Sequence, residues 1–219
     1  MAHETEIKLH VADKRGLERA LKKIKAELVA GPWARVHEWN VIYDTPQGGL
    51  AKHGQLLRIR TETPQKGKGA AKDAKPRVVL TFKQPALRIG HEDAGGEKYV
   101  PAGRHKVREE IESEVGDAET LGKIFEGLGM RGWFRYEKYR TTMRLPAKER
   151  WAKDLLVELD ETPIGDYLEL EGPPDAIDRA AEALGYRRSD YIVKSYLALY
   201  LEACRVRGET PCDMVFKRK

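Results

Sequence analysis

The sequence predicts an α+β fold in which strands dominate. Eight stretches alternate charged and apolar residues with the period of two that is typical of half-buried strands. They are residues 4–11, 36–43, 56–62, 77–83, 106–113, 132–145, 154–160 and 165–171. Helical spacing of apolar residues and local composition predict four helices. These cover residues 14–29, 117–128, 174–184 and 190–206.

The first helix is predicted from a stripe of apolar side chains, since residues three and four apart share one face of a helix. The stripe consists of Leu17, Leu21, Ile24 and Leu28. Residues 64–76 contain no large apolar side chain and predict a loop between two strands. A second, Gly-rich connection is predicted at residues 90–96.

A faint internal repeat suggests that two similar halves close into one barrel. Glu4 and Glu6 precede a predicted helix and then a strand, and Glu110 and Glu112 do the same later in the chain. We therefore expect a single domain.

The composition describes a polar chain with enough apolar residues for a core. Of 219 residues, 34% are charged and 41% hydrophobic, and 40 basic against 35 acidic residues give a net charge of +5. This mixture of signs favours a small anionic partner over nucleic acid. No stretch resembles a signal peptide or a membrane span, so we expect a cytoplasmic protein with no membrane partner. The spacing of Cys204 and Cys212 favours reduced thiols, with a disulfide as the alternative.

Pairs of acidic residues recur two positions apart on the predicted strands, so that both members of a pair face the same side. The pairs are Glu4 with Glu6, Glu110 with Glu112, Glu158 with Asp160, and Glu169 with Glu171. Like charges about 7 Å apart on one face repel each other unless cations intervene. Each pair alone would fit a solvated strand face, but together they indicate a site for a hard divalent cation.

Basic residues follow the same spacing and supply the complementary charge. Arginine guanidinium groups match phosphate oxygens in a two-pronged manner, and lysines act as point charges. The basic set consists of Lys8, Arg58, Arg60, Lys83, Arg108, Lys138 and Arg140. If these charges face inward, the apolar residues between them face outward and are covered by the helices. These apolar residues are Ile7, Leu9, Leu57, Ile59, Leu80, Phe82, Ile111, Val157, Leu159, Leu168 and Leu170.

Motifs in order along the chain resemble one known family. The first is Glu4-x-Glu6-x-Lys8, and the later ones include Leu57-Arg58-Ile59-Arg60, Thr81-Phe82-Lys83, Arg108-Glu109-Glu110-Ile111-Glu112, Glu137-Lys138-Tyr139-Arg140, Glu158-Leu159-Asp160, Leu168-Glu169-Leu170-Glu171 and Lys194-Ser195-Tyr196. This series resembles the CYTH superfamily of triphosphate tunnel metalloenzymes over nearly the whole chain.

The resemblance implies an eight-stranded antiparallel β-barrel with a charged interior, flanked by amphipathic helices, with a C-terminal helix that closes or lines one end. It also implies one such domain over residues 1–206, followed by a tail at 207–219. Mg²⁺ or Mn²⁺ would be held by Glu4, Glu6, Glu169 and Glu171, with Glu112 and Asp160 in support. The seven basic residues would bind the triphosphate. Glu4, Glu6, Lys8 and Glu171 are the candidate catalytic residues.

The resemblance leaves several functions open. The leading hypothesis is metal-dependent hydrolysis of a triphosphate, with inorganic tripolyphosphate as the favoured substrate. The second is a class IV adenylyl cyclase that converts ATP to cyclic AMP and pyrophosphate. A thiamine or nucleoside triphosphatase comes third. Relatives of the thiamine triphosphatase type carry a stacking tryptophan just before the Leu-Arg-x-Arg strand, and this sequence has Leu56 at that place. A polyphosphate or nucleotide binding module is the non-enzymatic alternative, and a homodimer is left open.

Overall fold

Nine strands and five α-helices are found in residues 2–65, 74–85 and 104–217, which the computed structural model describes. The strands are β1 (Ala2–His10), β2 (Glu27–Leu28), β3 (Arg35–Asp44), β4 (Leu56–Pro64), β5 (Arg77–Pro85), β6 (Lys106–Val115), β7 (Arg131–Arg144), β8 (Leu156–Thr162) and β9 (Gly165–Glu171). The helices are α1 (Lys14–Lys23), α2 (Gly49–Lys52), α3 (Ala118–Gly127), α4 (Pro174–Ala183) and α5 (Tyr196–Arg207). Residues 66–73 of the predicted loop and the whole connection at 90–96 lie outside the described residues.

Eight strands close into an antiparallel barrel. Their order is β7-β3-β4-β5-β6-β1-β9-β8, and β8 pairs again with β7. This arrangement confirms the predicted α+β fold with an eight-stranded barrel, and each of the eight predicted strands is present. The two-residue β2 was not predicted. It pairs with the end of β7, where Glu27 lies opposite Arg144.

The barrel is inverted, with charged side chains inside and apolar side chains outside. Directly opposite residues of antiparallel strands share a face. Glu6 lies opposite Glu171 and Lys8 opposite Glu169, whereas the intervening Ile7 lies on the outer face. Ile7 is nevertheless fully buried, because helices cover it. The predicted charged interior is therefore confirmed.

Helices α1 and α4 cover the outer face of β1, β8 and β9. The buried apolar residues that join them to these strands are Ile7, Leu9, Leu17, Leu21, Val157, Leu168, Leu170, Ile177, Ala180 and Ala181. Burying each of the isoleucine, leucine and valine side chains contributes about 1.5–3 kcal/mol to stability. The main core of the protein is thus outside the barrel wall. None of the helices in the described ranges is long and apolar enough to cross a membrane.

The opposite side of the barrel is covered less completely. Phe125 of α3 packs against Ile59 of β4 and Tyr43 of β3. Ile111 of β6 was expected to lie under a helix, and that expectation is wrong, since 49% of its surface is exposed. The helix that follows β6 packs on β4 and β7 instead.

Helix α1 is shorter than predicted, since it ends at Lys23 and not at residue 29. Lys25 has φ of 58°, a left-handed conformation that interrupts the helix. The chain then turns back, with the Ala26 amide donating to the Leu21 carbonyl at 3.0 Å. Leu28 consequently lies in β2 with 53% of its surface exposed, and does not belong to the helical stripe.

Helix α5 begins at Tyr196, six positions later than the predicted start at 190. Before it, Ile192 exchanges two backbone hydrogen bonds of 2.9 Å with Lys8 of β1. The Ser195 hydroxyl then caps the helix by accepting from the Ala198 amide. An extended connection tied to the barrel therefore replaces the first predicted turns.

The segment after α5 lies along β7. The Met214 amide donates to the Arg135 carbonyl at 2.9 Å, and the Glu137 amide donates to the Met214 carbonyl at 3.0 Å. Met214 is fully buried. Cys204 and Cys212 are both free, as the prediction of reduced thiols expected.

Candidate active site

The barrel encloses a cavity of about 460 Å³. All eight barrel strands contribute side chains to its wall, and so does the beginning of α5 through Ser195, Tyr196 and Leu197. The C-terminal helix thus lines the cavity. Basic and acidic side chains form the wall in nearly equal numbers.

Twelve of the thirteen predicted site residues line this one cavity. They are Glu4, Glu6, Lys8, Arg58, Arg60, Lys83, Arg108, Glu112, Lys138, Arg140, Glu169 and Glu171. The remaining one, Asp160, has no exposed surface and does not line the cavity. Because alternate side chains of each strand face inward, the eight strands bring together residues that are far apart in the sequence.

Lys8 lies between two carboxylates. Its Nζ is 3.0 Å from Glu6 and 3.3 Å from Glu169, and Lys106 also forms an ion pair with Glu6. Burial alone would raise the pKa of Glu6, but Lys8 and Lys106 outweigh it and hold that pKa far below its ordinary value. Burial likewise opposes the charge on Lys8, whose pKa is nevertheless raised by Glu169 and Glu6. Glu6 and Lys8 therefore both stay ionised at neutral pH, whereas burial and the charge of Lys8 lower the pKa of Lys106.

Lys83 bridges Glu4 and Glu110. Its Nζ lies 2.8 and 2.6 Å from the two carboxylate oxygens of Glu4 and 3.1 Å from Glu110. One ammonium group therefore serves two carboxylates. Burial, with repulsion from Glu4 and Glu112 against the attraction of Lys83, raises the pKa of Glu110 to about 7.

The positive charge near Glu158 and Glu171 is too small to keep their carboxyl groups at an ordinary pKa. Burial, followed by repulsion from Glu158 and Glu4, raises the pKa of Glu171 to about 8. The pKa of Glu158 is raised to about 7 by burial, although Arg140 opposes the shift. Arg140 Nη1 lies 2.5 Å from Glu158 Oε2, but the two are not aligned as a hydrogen bond. These two carboxylates lie on the paired strands β8 and β9, and Glu110 lies on β6.

Asp160 holds in place the basic side chains that β7 contributes to the cavity wall. Its carboxylate accepts hydrogen bonds from Lys138 at 2.7 Å, from Arg140 at 2.7 and 2.8 Å, and from the Tyr196 hydroxyl at 2.6 Å. Lys138 and Arg140 also lie 3.6 Å from the buried Glu38. With so many donors around it, Asp160 holds basic residues in place and has little capacity left for a metal ion.

Arg58 differs from the other bases, because its hydrogen bonds go to neutral groups. It donates to the Tyr136 hydroxyl at 3.0 Å and to the Thr81 hydroxyl at 3.2 Å. Glu112 is 3.7 Å away. Burial disfavours the guanidinium charge, yet Tyr136 and Glu38 keep its pKa above the ordinary value. Arg58 is therefore a fixed cation whose hydrogen bonds, within the described residues, leave no carboxylate bound to it directly.

The two ends of the cavity carry aromatic and apolar groups. Trp33, just before β3, lines one end and lies under the guanidinium of Arg77, 4.2 Å from ring to charge. Ile42 and Leu56 line the other end, near the end of β3 and the start of β4. Between these ends most of the lining side chains are charged, and the rings of Tyr136 and Tyr196 lie among them.

In the part of the chain that the structure describes, seven charged cavity residues lie outside the predicted set, namely Glu38, Asp44, Glu62, Arg77, Lys106, Glu110 and Glu158. The signal for Lys106 was present, since it precedes Arg108 by two positions on one strand. Glu62 continues the row of Arg58 and Arg60 in the same way. Glu38 stands among uncharged neighbours on its face, so spacing alone gave no reason to select it.

The carboxylates fit a hard divalent cation by their chemistry. Mg²⁺ and Mn²⁺ take carboxylate oxygens, and without such a cation Glu158 and Glu4 both repel the half-buried Glu171. Across the described ranges, no three acidic, imidazole or thiol side chains converge closely enough to hold an ion as they stand. Glu4 and Glu6 are instead paired with lysines. Binding of an ion would require these pairs to rearrange.

Solved structures with the same fold are known. A candidate adenylate cyclase of Vibrio parahaemolyticus superposes with a TM-score of 0.63 at 17% identity, covering 90% of this chain and 96% of that one. A protein of Pyrococcus horikoshii gives 0.63 at 22% identity, covering 91% and 98%. A candidate adenylyl cyclase of Hippeastrum with a dominant triphosphatase activity gives 0.52 at 19% identity, covering 95% and 97%. At these identities the likeness concerns the fold.

Comparison at the level of sequence identifies the family. A search of curated proteins found no match. The model of the CYTH domain matches residues 2–196, which span every strand of the barrel and reach the first residue of α5. The barrel, its charged cavity and this match agree, and the chain belongs to the CYTH domain family.

Proposed function

We propose that this protein is a metal-dependent triphosphatase that hydrolyses inorganic tripolyphosphate. The observation that supports the proposal best is the cavity wall, in which rows of arginine and lysine face rows of glutamate inside a closed barrel. A chain of phosphates bridged to carboxylates by a divalent cation uses both kinds of side chain. Few other small ligands would.

The nearly equal numbers of acidic and basic groups bear on how the substrate enters. A free triphosphate is strongly negative, and a cavity with little net charge attracts it weakly. A divalent cation on the acidic wall would shift the balance toward anion binding. We therefore propose that metal and triphosphate bind together.

The proposed roles follow the two walls. Arg58, Lys138 and Arg140 bind phosphate oxygens, because they lie on β4 and β7 and are held in place by Tyr136 and Asp160. Glu4, Glu6, Glu169 and Glu171, on the adjacent β1 and β9, are the proposed metal ligands. Lys8 lies between the two sets and neutralises Glu6 and Glu169 until phosphate arrives.

Hydrolysis requires water to attack a terminal phosphorus in line with the leaving oxygen. When bound, the metal supplies a Lewis acid that polarises the terminal phosphoryl group. The buried carboxylate of Glu158, which is not among the proposed metal ligands, would orient the attacking water and take up its proton. Arg58 and Lys138 then stabilise the negative charge that develops on the departing pyrophosphate.

Inorganic tripolyphosphate is favoured because charged side chains of both signs make up most of the cavity wall. The apolar groups Trp33, Ile42 and Leu56 lie at its ends. These same groups favour adenylyl cyclase as the second candidate function, since an aromatic base could stack there. Two of the structural relatives are described as candidate cyclases, one of them with dominant triphosphatase activity.

A substrate panel with product identification tests the proposal. Purified protein is incubated with Mg²⁺ or Mn²⁺ and either tripolyphosphate, ATP or thiamine triphosphate. We expect pyrophosphate and phosphate from tripolyphosphate as the fastest reaction. Cyclic AMP and pyrophosphate from ATP would establish the cyclase instead. Binding of every ligand without turnover would indicate a binding module.

A further inference from the structure

Lys83 occupies an unusual position in the cavity. It reaches from β5 across β6 to Glu4 of β1, because Lys83 lies opposite Glu110 and Glu4 lies opposite Arg108 in the sheet. Its Nζ contacts both oxygens of Glu4, at 2.6 and 2.8 Å, and one oxygen of Glu110 at 3.1 Å. Within the described part of the chain, every ion pair of Glu4 and Glu110 is made by this ammonium.

This arrangement resembles the coordination of a small cation by two carboxylates. The side chain of Glu4 is 8% exposed and that of Lys83 is 12% exposed, so water provides little alternative solvation. A divalent ion on Glu4 would compete with the ammonium for the same two oxygens. The ammonium group and the metal ion cannot both remain on Glu4, because two positive charges on the same carboxylate repel strongly in a buried site.

We propose that Lys83 is an internal substitute for the metal ion, which a divalent cation displaces from Glu4 and thereby frees to bind phosphate. This inference rests on the proposed function, since it takes the acidic wall as the metal site. It assigns Lys83 a second role besides phosphate contact, which is to couple the two ligands. Metal binding would release the lysine, and the triphosphate would accept it.

The chemistry of the side chain supports this role for Lys83 over the neighbouring bases. A lysine ends in a point charge on a flexible stem and can change partners by rotation about its side-chain bonds. Arg58 is instead fixed by Tyr136 and Thr81. Lys8 and Lys106 share Glu6, so displacing one of them leaves that carboxylate with a partner.

The displaced ammonium needs an anion. Arg58, on the adjacent strand β4, acts on Lys83 as a like charge, so a free Lys83 beside Arg58 is unfavourable until a phosphate enters. Metal binding alone therefore breaks the Lys83–Glu4 ion pair without replacing it. When the triphosphate binds, its contact with Lys83 offsets this loss. The two ligands consequently bind with positive cooperativity, which must be reciprocal.

Calorimetric titration of Mn²⁺ into the metal-free protein tests this inference without measuring turnover. Lys83→Met removes the competing ammonium, and we expect its Kd for Mn²⁺ to fall about tenfold relative to the wild type, a change of about 1.4 kcal/mol. Lys83→Arg keeps a positive charge and should remain within about threefold of the wild type. Adding tripolyphosphate should tighten Mn²⁺ binding in the wild type far more than in Lys83→Met.

Lys14→Met is a matched control, because Lys14 also bridges two carboxylates, Glu161 at 2.5 Å and Asp166 at 3.4 Å, but on the outside of the barrel. Its affinity for Mn²⁺ should equal that of the wild type. If Lys83→Met does not fold, as judged by circular dichroism, Lys83→Gln replaces it.

Unchanged or weaker Mn²⁺ binding in folded Lys83→Met or Lys83→Gln would overturn the inference, even if the wild type binds the metal. If no variant binds Mn²⁺ with or without tripolyphosphate, the proposed metal-dependent function fails as well. The two failures are therefore distinguishable.

Discussion

The hydroxyl of Tyr196, the first residue of α5, donates a hydrogen bond of 2.6 Å to the fully buried Asp160 of β8. The same ring lies 5.2 Å from Nζ of Lys8 and 5.0 Å from Nζ of Lys138. A helix that packs on the barrel thus contacts the groups that order the basic wall. Stability of the fold and geometry of the cavity depend on the same residue.

Tyr196→Phe removes this hydrogen bond and leaves the ring in place. A hydrogen bond to a charged group contributes about 1.5–3 kcal/mol, and we expect the free energy of unfolding to fall within that range. Urea denaturation measures the change. Tyr186→Phe is the control, since that hydroxyl makes only a 3.5 Å contact with the His10 carbonyl. Equal effects of the two substitutions would contradict the role of the Asp160 contact.

Met214→Ala tests the attachment of the C-terminal segment to β7. Replacing a fully buried methionine by alanine costs about 2–5 kcal/mol, through lost apolar contacts and the cavity left behind. Thermal or urea unfolding should show this loss. Val206→Ala, on a side chain 78% exposed, should change stability by no more than about 0.5 kcal/mol. If Met214→Ala behaves like Val206→Ala, the segment does not support the barrel.

The stability of the metal-free protein should fall as pH rises. An ordinary glutamate, as in the unfolded chain, loses its proton near pH 4.5, whereas the folded protein holds the proton of Glu171 up to about pH 8. The folded state therefore binds more protons between these values, and the free energy of unfolding decreases as pH increases through that window. Glu158 and Glu110 act in the same direction up to about pH 7.

The midpoint of urea denaturation, measured in the presence of a chelator at several pH values between about 5 and 8, tests this pH dependence of stability. The dependence follows from the pKa of Glu171, which is raised to about 8. Glu171→Gln removes one titrating group and should flatten the slope. The carboxylates whose pKa values are lowered, such as Glu6, Glu38 and Glu169, lose their stabilising charge only at more acidic pH. A slope that Glu171→Gln leaves unchanged would refute the assignment.

Arg58→Met tests the proposed phosphate clamp. The guanidinium is held by Tyr136 and Thr81, and its nearest carboxylate in the described ranges, Glu112, is 3.7 Å away and not hydrogen-bonded to it, so it is available to phosphate. We expect kcat/KM for tripolyphosphate to fall by about two orders of magnitude, or about 2.7 kcal/mol. Arg19→Met, on a side chain 73% exposed on α1, should retain wild-type kinetics. Full activity of Arg58→Met would remove this arginine from the site.

The barrel was predictable from sequence because alternation of charge is a local signal that strands carry individually. The same signal located most of the cavity, since residues two apart on a strand share a face. The end of α1 was not predictable from its apolar stripe, which continues through Leu28 although Lys25 leaves the helical conformation. Tertiary pairing decided the start of α5 as well, because Ile192 bonds to β1.

Within the site, spacing gave no information on which charges pair with which. Glu4 and Lys83 are 79 positions apart and meet only because β5, β6 and β1 are adjacent. Asp160 had the spacing of a metal ligand, yet its partners come from β7 and α5. These relationships arise from closure of the barrel, which no local pattern encodes.

Release of phosphate from tripolyphosphate is the most direct test of the central proposal. We expect the wild type to hydrolyse tripolyphosphate with Mg²⁺ or Mn²⁺, excess chelator to abolish the reaction, and Glu4→Ala and Glu171→Ala to lose at least about two orders of magnitude in kcat/KM while remaining folded. A folded, metal-supplied wild type that leaves tripolyphosphate intact, or variants that hydrolyse it at the wild-type rate, would contradict the proposal.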